Sequence, residues 1–469
     1  MKALIENPSD TFKKIFAPER IEEVYEQEVA LKYLRGIDRM GPSQFDGQKA
    51  VHFEIIHRKC LNGTYRYSPF SERLRLRGRD REPRVISIAT IRDRIVLSLL
   101  KQYLHEAFPE CVNRELPNSY IRKIKDFYKT MAYTDLCFYK VDIKSFYDCI
   151  SHNKLIEALS KKITSKPEVI LVKRVIETPT VPVSHRKATL KENKNLCGVP
   201  QGLAVSNILA NIYLHNSDRI FSDNSLFYLR YVDDILFIVR QENEESIHSI
   251  VDNELRALDL SLNEKKDKTS FVPIDTGIDY LGYYIRLPTV SIKKPTVERF
   301  LRLLSALFSA YGNIGAKMYQ TKDLNLAHEL FISEVNEKIT GAISENRRYG
   351  WLFYFLEMND LTLLHTMDLI IRDKFCRRLK RNPGLVPISE TIKKLSQAYY
   401  HVKYHPNSGY IHNYDTYDTI DKKLNYLKRW GFIKEDEENT YSEQDIDRLF
   451  KLVRKKRLSK LELDVGETS

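Results

Sequence analysis

The stretch SLFYLRYVDDILFIVR, residues 225–240, places two adjacent carboxylates, Asp233 and Asp234, inside a run of apolar, aromatic and β-branched residues. Residues of these types favour strands, so the stretch predicts a hairpin of two buried strands with the two aspartates at its turn. Adjacent carboxylates repel each other and are costly to desolvate unless a cation neutralises them. On the dipeptide alone, an ordinary Asp-containing turn is the commoner explanation. The choice therefore depends on the rest of the chain.

A third acid lies in a similar setting. The segment LCFYKVDI, residues 136–143, predicts an apolar strand that ends at Asp142, and the aromatic pair Phe146 and Tyr147 follows its turn. If this strand neighbours the hairpin in one sheet, the three aspartates can hold two Mg²⁺ ions about 3.5–4 Å apart, which activate a 3′-hydroxyl and stabilise a leaving pyrophosphate. The three acids together indicate nucleotidyl transfer.

The composition is consistent with a folded protein that binds a polyanion. The chain has 469 residues, of which 42% are hydrophobic and 11% aromatic, which is enough for about two to four domains with a sizeable core. The 75 Lys and Arg residues against 63 Asp and Glu residues give a formal charge of +12. This charge suits nucleic acid, although many soluble proteins share it.

The cysteines and the hydropathy pattern indicate the compartment. The six cysteines include no CxxC pair, so neither a zinc site nor a disulfide framework is predicted, and reduced thiols fit best. No segment approaches the roughly 18 apolar residues of a membrane span, and the N-terminal residues lack the apolar stretch of a signal peptide. We expect a cytoplasmic protein with no membrane partner.

A basic segment lies between residues 71 and 96. Arginine and leucine alternate from Arg73 onward, Gly78–Asp80 predict a turn, and Val85 to Ile88 resume the strand pattern. The pattern predicts a hairpin with cationic faces. The alternative is a solvated edge strand that its charges protect from aggregation.

The chain after Lys294 has a helical pattern almost to its end. Pro295 suits the first turn of a helix, apolar residues follow at helical spacing from Phe300 to Tyr311, and Gly312 is predicted to end the helix. The residues from about 135 to 285, in contrast, alternate short strands with helices, so the core is of the α/β or α+β class.

Five segments resemble, in the same order, the successive palm motifs of reverse transcriptases. They are VDIKSFYDCISH (141–152), GVPQGLAVSNILANIYL (198–214), YVDD (231–234), LSLNEKKDKT (260–269) and IDYLGYYI (278–285). SIATIRDRIV (87–96) resembles the fingers motif of the bacterial members, so the resemblance covers about residues 60–290. Five motifs in order are far more specific than any one of them.

The resemblance implies an α+β, right-hand polymerase fold of fingers, palm and thumb, with an additional α-helical C-terminal region. The implied domains are N-terminal helices and fingers (1–134), a palm with inserted fingers helices (135–290), a helical thumb (291–345) and the C-terminal helices (346–469). The thumb would hold the template–primer duplex by its shape and backbone. A scaffold with a solvated charged face is the commoner function of the C-terminal helices, and a platform for structured RNA or for oligomerisation is the alternative.

The resemblance also assigns the reacting residues. Asp142, Asp233 and Asp234 would bind the two Mg²⁺ ions, with the Ile143 carbonyl as a further ligand. Tyr147, five residues after Asp142, matches the steric gate that lies beneath the sugar and favours dNTPs over rNTPs.

Other residues would contact the incoming nucleotide. Gln201 and Gly202 match the positions beside the nucleotide and template, where glycine permits close approach of the backbone. Arg84 matches the fingers arginine that grips the triphosphate. Three further arginines compete with it, Arg77, Arg79 and Arg81.

One motif departs from the family pattern. The family has LNxxKT after the catalytic hairpin, whereas this chain has LNEKKDKT. The lysine that protonates pyrophosphate is therefore Lys266 by its spacing from Asn263, which we favour, or Lys268 by its position next to Thr269.

No zinc-finger spacing, HNH-like cluster or RNase H carboxylate set follows the implied thumb, and the chain most resembles the stand-alone reverse transcriptases of bacterial anti-phage defence. This implies RNA-directed DNA synthesis from dNTPs, with a non-coding RNA as template or scaffold, a DNA product, and a homo-oligomer or a neighbouring defence protein as partner. One alternative is template-independent or protein-primed DNA synthesis. Another is a catalytically silent RNA-binding module, which an unused cluster of three carboxylates argues against.

Overall fold

A computed structural model describes residues 8–465 except for 31–33, 77–81, 132–134, 185–193, 266–267, 376, 378–391, 406–407 and 435–439. The chain divides into two compact units. The first comprises residues 1–114 and 137–271, and the second comprises residues 115–136 and 272–469. No helix in the described part of the chain is long and apolar enough to cross a membrane.

The first unit begins with helices that surround a basic hairpin. These elements are α1 (Pro8–Ile15), α2 (Pro18–Val24), α3 (Pro42–Asp46), α4 (Lys49–Leu61), the strands β1 (Phe70–Arg75) and β2 (Arg84–Ile88), and α5 (Ile91–Ala107). β1 and β2 pair antiparallel, from Ser71 opposite Ile88 to Arg75 opposite Arg84. The predicted hairpin is therefore present, although its turn at Gly78–Asp80 lies outside the described residues.

The start of α5 anchors this hairpin to the core. The Thr90 side chain accepts a hydrogen bond from the Asp93 backbone N–H, a standard N-cap. The Asp93 carboxylate is fully buried and accepts bonds from the Tyr65 hydroxyl at 2.6 Å and the Thr90 hydroxyl at 2.7 Å. Burial raises the pKa of Asp93, while these hydrogen bonds act to lower it. The network fixes the segment that connects β2 to α5.

A central sheet holds the aspartates that the sequence singles out. Its strands run in the order β5–β6–β3–β7, with β3 (Leu136–Asp142), β5 (Phe227–Tyr231), β6 (Asp234–Arg240) and β7 (Ser270–Pro273). β6 is buried along nearly its whole length, so its continuous apolar sequence is that of a strand covered on both faces. As predicted, β3 and the hairpin strand β6 are neighbours.

Helices pack around this sheet and complete the first unit. They are α7 (Phe146–Cys149), α8 (His152–Ser160), α9 (Lys166–Glu177), α10 (Ser206–Asp223) and α11 (Glu244–Ala257). A two-residue strand, β4 (Thr180–Val181), pairs parallel to β1. α10 buries its apolar side chains. At its start, the Ser206 hydroxyl donates a buried hydrogen bond to the Pro200 carbonyl at 2.6 Å, so Ser206 has a packing role.

The second unit is mostly helical but also contains short strands. Its helices are α6 (Pro117–Thr130), α12 (Lys294–Ile314), α13 (Leu324–Thr340), α14 (Trp351–Tyr354), α15 (Leu361–Ile370), α16 (Leu395–Tyr404), α17 (Ile420–Arg429) and α18 (Glu443–Val465). One three-stranded sheet comprises β8 (Ile278–Tyr280), β9 (Tyr283–Arg286) and β10 (Thr289–Ile292), and another comprises β11 (Ala342–Ser344), β12 (Arg347–Tyr349) and β13 (His412–Asn413).

One expectation about this unit was wrong, the predicted end of α12. α12 does not end at Gly312 but continues to Ile314. Phe308 and Tyr311 lie on the buried face of α12 itself, and a glycine inside a helix costs only about 1 kcal/mol, which their packing outweighs. The C-terminal region is mostly helical, as predicted, and also contains the short strands β12 and β13, which both pair with β11.

Candidate active site

The turn between β5 and β6 presents the two adjacent aspartates. Tyr231 pairs with Asp234, which leaves Val232 and Asp233 as the two turn residues. Val232 has a φ of 60°, which is unusual for a β-branched residue and marks a strained turn. Asp234 is only 7% exposed. The hairpin predicted from the sequence is confirmed, with its acids at the end of the sheet.

Asp142 ends the neighbouring strand β3 and is held by the segment that follows α11. Its carboxylate accepts a hydrogen bond from the Asn263 amide at 2.7 Å and one from the Lys268 ammonium at 3.3 Å. The Asn263 N–H also donates to the Asp142 carbonyl at 2.9 Å. These contacts fix both the backbone and the carboxylate of Asp142.

The three carboxylates interact through their charges. Burial and the Asp233 charge raise the pKa of Asp234 to about 7. Burial, together with the Asp142 charge, raises the pKa of Asp233, while Arg84 and Lys268 act to lower it. The site therefore holds more negative charge than its own cations neutralise, which favours binding of a further cation.

This donor set fits a hard divalent cation. Carboxylate oxygens are the ligands that Mg²⁺ prefers, and it takes its other ligands from water and substrate phosphates. Among the described residues, the donor atoms of the three aspartates do not all lie within 4.8 Å of one another. The donor atoms of Glu110, Cys111 and His215 do lie within that distance of one another. Lys162 already contacts Glu110 at 2.7 Å and supplies a cation to that second group.

Arg230 stabilises the turn by hydrogen bonds. Its guanidinium donates to the Val232 carbonyl at 3.0 Å and to the Asn211 side chain at 2.9 Å, and it pairs with Asp218 at 2.5 Å. Burial acts to lower the pKa of Arg230, but the Asp218 carboxylate outweighs it and holds the pKa above its ordinary value. A buried arginine thus ties the strained turn to α10.

Tyr147 lies on α7, directly after the turn that follows β3. Its hydroxyl donates a hydrogen bond to the Asn207 side chain at 2.7 Å. Burial, followed by the Asp233 charge, raises the pKa of Tyr147. The ring is half-buried and lies close enough to Asp233 for that charge to act on it, so the structure brings Tyr147 near the catalytic hairpin.

The PQG segment is fixed between α7 and the basic hairpin. Val199 donates to the Tyr147 carbonyl at 2.8 Å, and the Gln201 carbonyl accepts from the Ser87 N–H of β2 at 2.8 Å. Gly202 has a φ of +94°, and a Cβ there would lie 2.7 Å from Ile86 Cγ2. Both the backbone conformation and the close packing therefore require glycine at position 202.

Asp148 and His152 stabilise this loop. The Gln201 amide donates to Asp148 at 3.3 Å, and a ring nitrogen of His152 lies 2.7 Å from the Gly198 carbonyl. Neither contact requires a reacting group at these positions. The loop is thus held beside Tyr147 by backbone and side-chain bonds.

Arg84 begins β2, and its charge acts on both Asp233 and Tyr147. This arginine therefore lies close enough to Asp233 for their charges to interact, and its role in binding the triphosphate stays a prediction. The competing residues Arg77, Arg79 and Arg81 lie outside the described residues.

The choice of general acid stays open. Lys266 lies outside the described residues, and the structure places only Lys268 against Asp142. Ile143 pairs with Leu262 through an isolated antiparallel bridge, and its carbonyl as a metal ligand stays a prediction.

Sequence reasoning missed several residues that shape the site. They are Arg230, Asp218, Asn211, Asn207 and the amide of Asn263. Only Asn263 had a signal, as part of the LN motif. The others act through contacts between elements that are distant in the chain.

The fold is of the α+β class, and its central sheet carries carboxylates at the ends of two adjoining strands. Together with the basic hairpin, these features define the class of a right-hand nucleic-acid polymerase. Residues 77–285 match the family model described as "Reverse transcriptase (RNA-dependent DNA polymerase)". This part of the chain is similar to the reverse transcriptase family, and the resemblance and the fold class inferred from the sequence are confirmed.

Similar proteins match parts of the chain. The "Uncharacterized 91 kDa protein in cob intron" of Schizosaccharomyces pombe is 27% identical over 218 residues, which cover 44% of this chain and 25% of that protein. "Protein YkfC" of Escherichia coli is 22% identical over 299 residues, which cover 53% of this chain and 74% of that protein. The structure of apo telomerase from Candida tropicalis aligns with a TM-score of 0.41 and 15% identity, covering 83% of this chain and 69% of that one.

Proposed function

We propose that the protein is an RNA-directed DNA polymerase that transfers deoxynucleotides with two Mg²⁺ ions. The observation that carries this proposal is the position of Asp142, Asp233 and Asp234 at the ends of two adjoining strands, where burial and like charge raise the pKa of Asp233 and of Asp234. The match of residues 77–285 to the reverse transcriptase family supports the same reaction.

The three aspartates, with the Ile143 carbonyl, would hold the ions. When bound, such ions lower the pKa of the attacking 3′-hydroxyl and stabilise charge on the leaving pyrophosphate. Lys268 and Asn263 orient Asp142 before any cation arrives, because they fix its carboxylate oxygens by hydrogen bonds.

Other side chains would bind and select the nucleotide. The Arg84 guanidinium would pair with triphosphate oxygens, for which its planar fork is suited. The Tyr147 ring, fixed by its bond to Asn207, would exclude a ribose 2′-hydroxyl. Gln201 and Gly202 would contact the base pair from the loop beside β2.

The biological role in this proposal is anti-phage defence in the bacterial cytoplasm, with a non-coding RNA as template or scaffold. Its support is the resemblance of the palm motifs to the stand-alone bacterial enzymes. The name of the S. pombe relative favours a role linked to an intron as the alternative. A phage-plating assay would test defence: the wild-type gene with its flanking DNA should lower plaque numbers, and the Asp233→Asn, Asp234→Asn variant should not.

The polymerase is tested with protein purified from its native host or with its flanking DNA. The co-purifying nucleic acid is sequenced, and the protein receives Mg²⁺ with labelled dNTPs or with labelled rNTPs. We expect dNTP incorporation that copies the bound RNA and that disappears in the Asp233→Asn, Asp234→Asn variant. Asp223→Asn is the matched control, because this aspartate is an exposed acid in the same unit, with 68% of its side chain accessible.

Each outcome has a defined meaning. Product that copies RNA supports the proposal, whereas product of unrelated sequence, or DNA that stays attached to protein after denaturation, supports template-independent or protein-primed synthesis instead. Bound RNA without incorporation by the wild-type protein would replace the proposal with a silent RNA-binding module.

A further inference from the structure

The second unit contains a cavity of about 500 Å³ with charged and aromatic walls. A volume in this range suits a small ligand. One wall is a face of α17: Lys422, Asn425, Tyr426 and Arg429 follow one another at i, i+3, i+4 and i+7, and all four line the cavity. The helix thus presents two cations and an amide along one line.

Arg457 of α18 forms a second, rigid wall. Its guanidinium lies 3.7 Å from the centre of the Trp430 ring and pairs with Glu337, which is only 6% exposed. The Tyr414 hydroxyl donates to the same carboxylate at 2.5 Å. Because Arg457 is held by both a ring and a buried acid, Trp430 is fixed in orientation at the cavity.

The two cations of α17 have weaker partners. Lys422 pairs with Asp418 at 2.8 Å and Arg429 pairs with Glu329 at 3.1 Å, and all four side chains are more than half exposed. Exposed pairs of this kind contribute only about 0–1 kcal/mol. A ligand group with more than one negative charge can therefore replace Asp418 and Glu329 and bind both cations.

His412 also lines the cavity. Its Nε2 atom is buried and has no hydrogen-bond partner among the described residues. Burial lowers the pKa of His412, while the Glu337 charge acts to raise it and the Arg457 charge acts to lower it further. Its ring lies 5.9 Å from that of Tyr417, another residue of the wall. A buried ring nitrogen without a partner favours a ligand that brings a donor or an acceptor.

We propose that this cavity binds a nucleoside 5′-phosphate, either free or as the terminal nucleotide of a strand. The phosphate would contact Lys422 and Arg429, and the base would lie against Tyr417 and Trp430 and reach His412. Stacking of a base on an aromatic ring contributes about 1–3 kcal/mol. The cations alone would suit an acidic peptide as well, but the aromatic walls and the buried imidazole nitrogen favour a base. This site goes beyond the proposed polymerase function and does not depend on it.

Adenosine 5′-monophosphate is the probe, and the full chain is used in EDTA with the palm acids changed (Asp233→Asn, Asp234→Asn), so that binding at the palm does not contribute. Equilibrium dialysis measures binding, and tryptophan fluorescence locates it. The chain has two tryptophans, and Trp351 is fully buried against Phe300, so a ligand-dependent signal reports Trp430. We expect one saturable site and a matching fluorescence change.

The test variant is Lys422→Gln, Arg429→Gln, and the matched control is Lys456→Gln, Lys460→Gln, which removes the same charge from exposed positions on α18 outside the cavity. We expect the test variant to weaken binding at least about 10-fold, equivalent to about 1.4 kcal/mol, and the control to change it by less than about twofold. Asn425→Glu, which adds a negative charge to the same exposed helix face, should also weaken binding, and thermal melting verifies that each variant is folded.

The source of the phosphate is resolved by two oligonucleotides. Preference for a 5′-phosphorylated over a 5′-hydroxyl oligonucleotide would identify a strand end, and binding of adenosine 5′-monophosphate alone would identify a free nucleotide; both support the proposal. Absence of saturable binding up to about 10 mM probe would overturn it, since that corresponds to less than about 3 kcal/mol of affinity. Three other results would also overturn the proposal. They are equal weakening of binding by the control variant, binding of adenosine as tight as that of its monophosphate, and full competition by a polyglutamate peptide.

Discussion

Replacing Asp234 by asparagine should stabilise the protein in the absence of divalent cations. The buried Asp234 carboxyl has a pKa raised to about 7 by burial and by the adjacent Asp233 charge. Asparagine keeps the shape of this side chain and removes its charge. The native aspartate must ionise at alkaline pH in a place that disfavours the charge, whereas the asparagine does not.

The magnitude follows from the two pKa values. The ordinary value is 3.8 and the value in the folded protein is about 7, a difference of about 3. Each unit corresponds to about 1.4 kcal/mol, so ionised Asp234 costs up to about 4 kcal/mol. Because the raised pKa belongs to an acid, the wild-type protein loses stability as pH rises from about 4 to about 7. Above about pH 7 the loss is complete.

Urea unfolding in EDTA, at several pH values between about 4 and 9, measures this difference. The advantage of Asp234→Asn over the wild type should grow from about pH 4 to pH 7 and then stay constant. Added Mg²⁺ should reduce it, because the cation stabilises the wild-type site. Asp223→Asn, an exposed change on α10, should show no such trend.

Two results would refute the reasoning. If Asp234→Asn is no more stable than the wild type at about pH 8 without divalent cations, the repulsion at the site is not what the structure implies. If its advantage is the same at about pH 4 as at about pH 8, the gain has another cause, such as packing.

Three further predictions concern the surroundings of the aspartates. Asp218→Ala should destabilise the protein by about 3–5 kcal/mol and lower the polymerisation rate, because it leaves the buried Arg230 without its carboxylate; urea unfolding and single-turnover incorporation measure the two effects. Gly202→Ala should cost about 1–3 kcal/mol and reduce incorporation, because position 202 has a φ of +94° and no room for a Cβ; a fully active variant would contradict this. Tyr147→Ala should admit rNTPs, whereas Tyr147→Phe, which loses only the bond to Asn207, should still discriminate against them in a primer-extension assay with each nucleotide pool.

The sequence determined the class of the protein and the identity of its acids. Apolar and β-branched runs ending in Asp142 and in the Asp233–Asp234 pair are local patterns, and strands of this kind are set mainly by the residues within them. The ordered motifs then identified the family. The same reasoning failed at Gly312, because a local helix-ending signal was weaker than the packing of Phe308 and Tyr311 on the buried face of α12.

Only the tertiary structure decided how the site is supported. Arg230 lies three residues before Asp233 in the chain, yet its role comes from Asp218 on α10, which no spacing rule connects to it. Gly202 is required because β2 packs against it, and the wall of the C-terminal cavity joins α17 to Arg457 of α18. Such contacts arise when elements distant in the sequence pack together. Local patterns therefore reveal the reacting groups, while the packing of distant elements fixes their positions and charges.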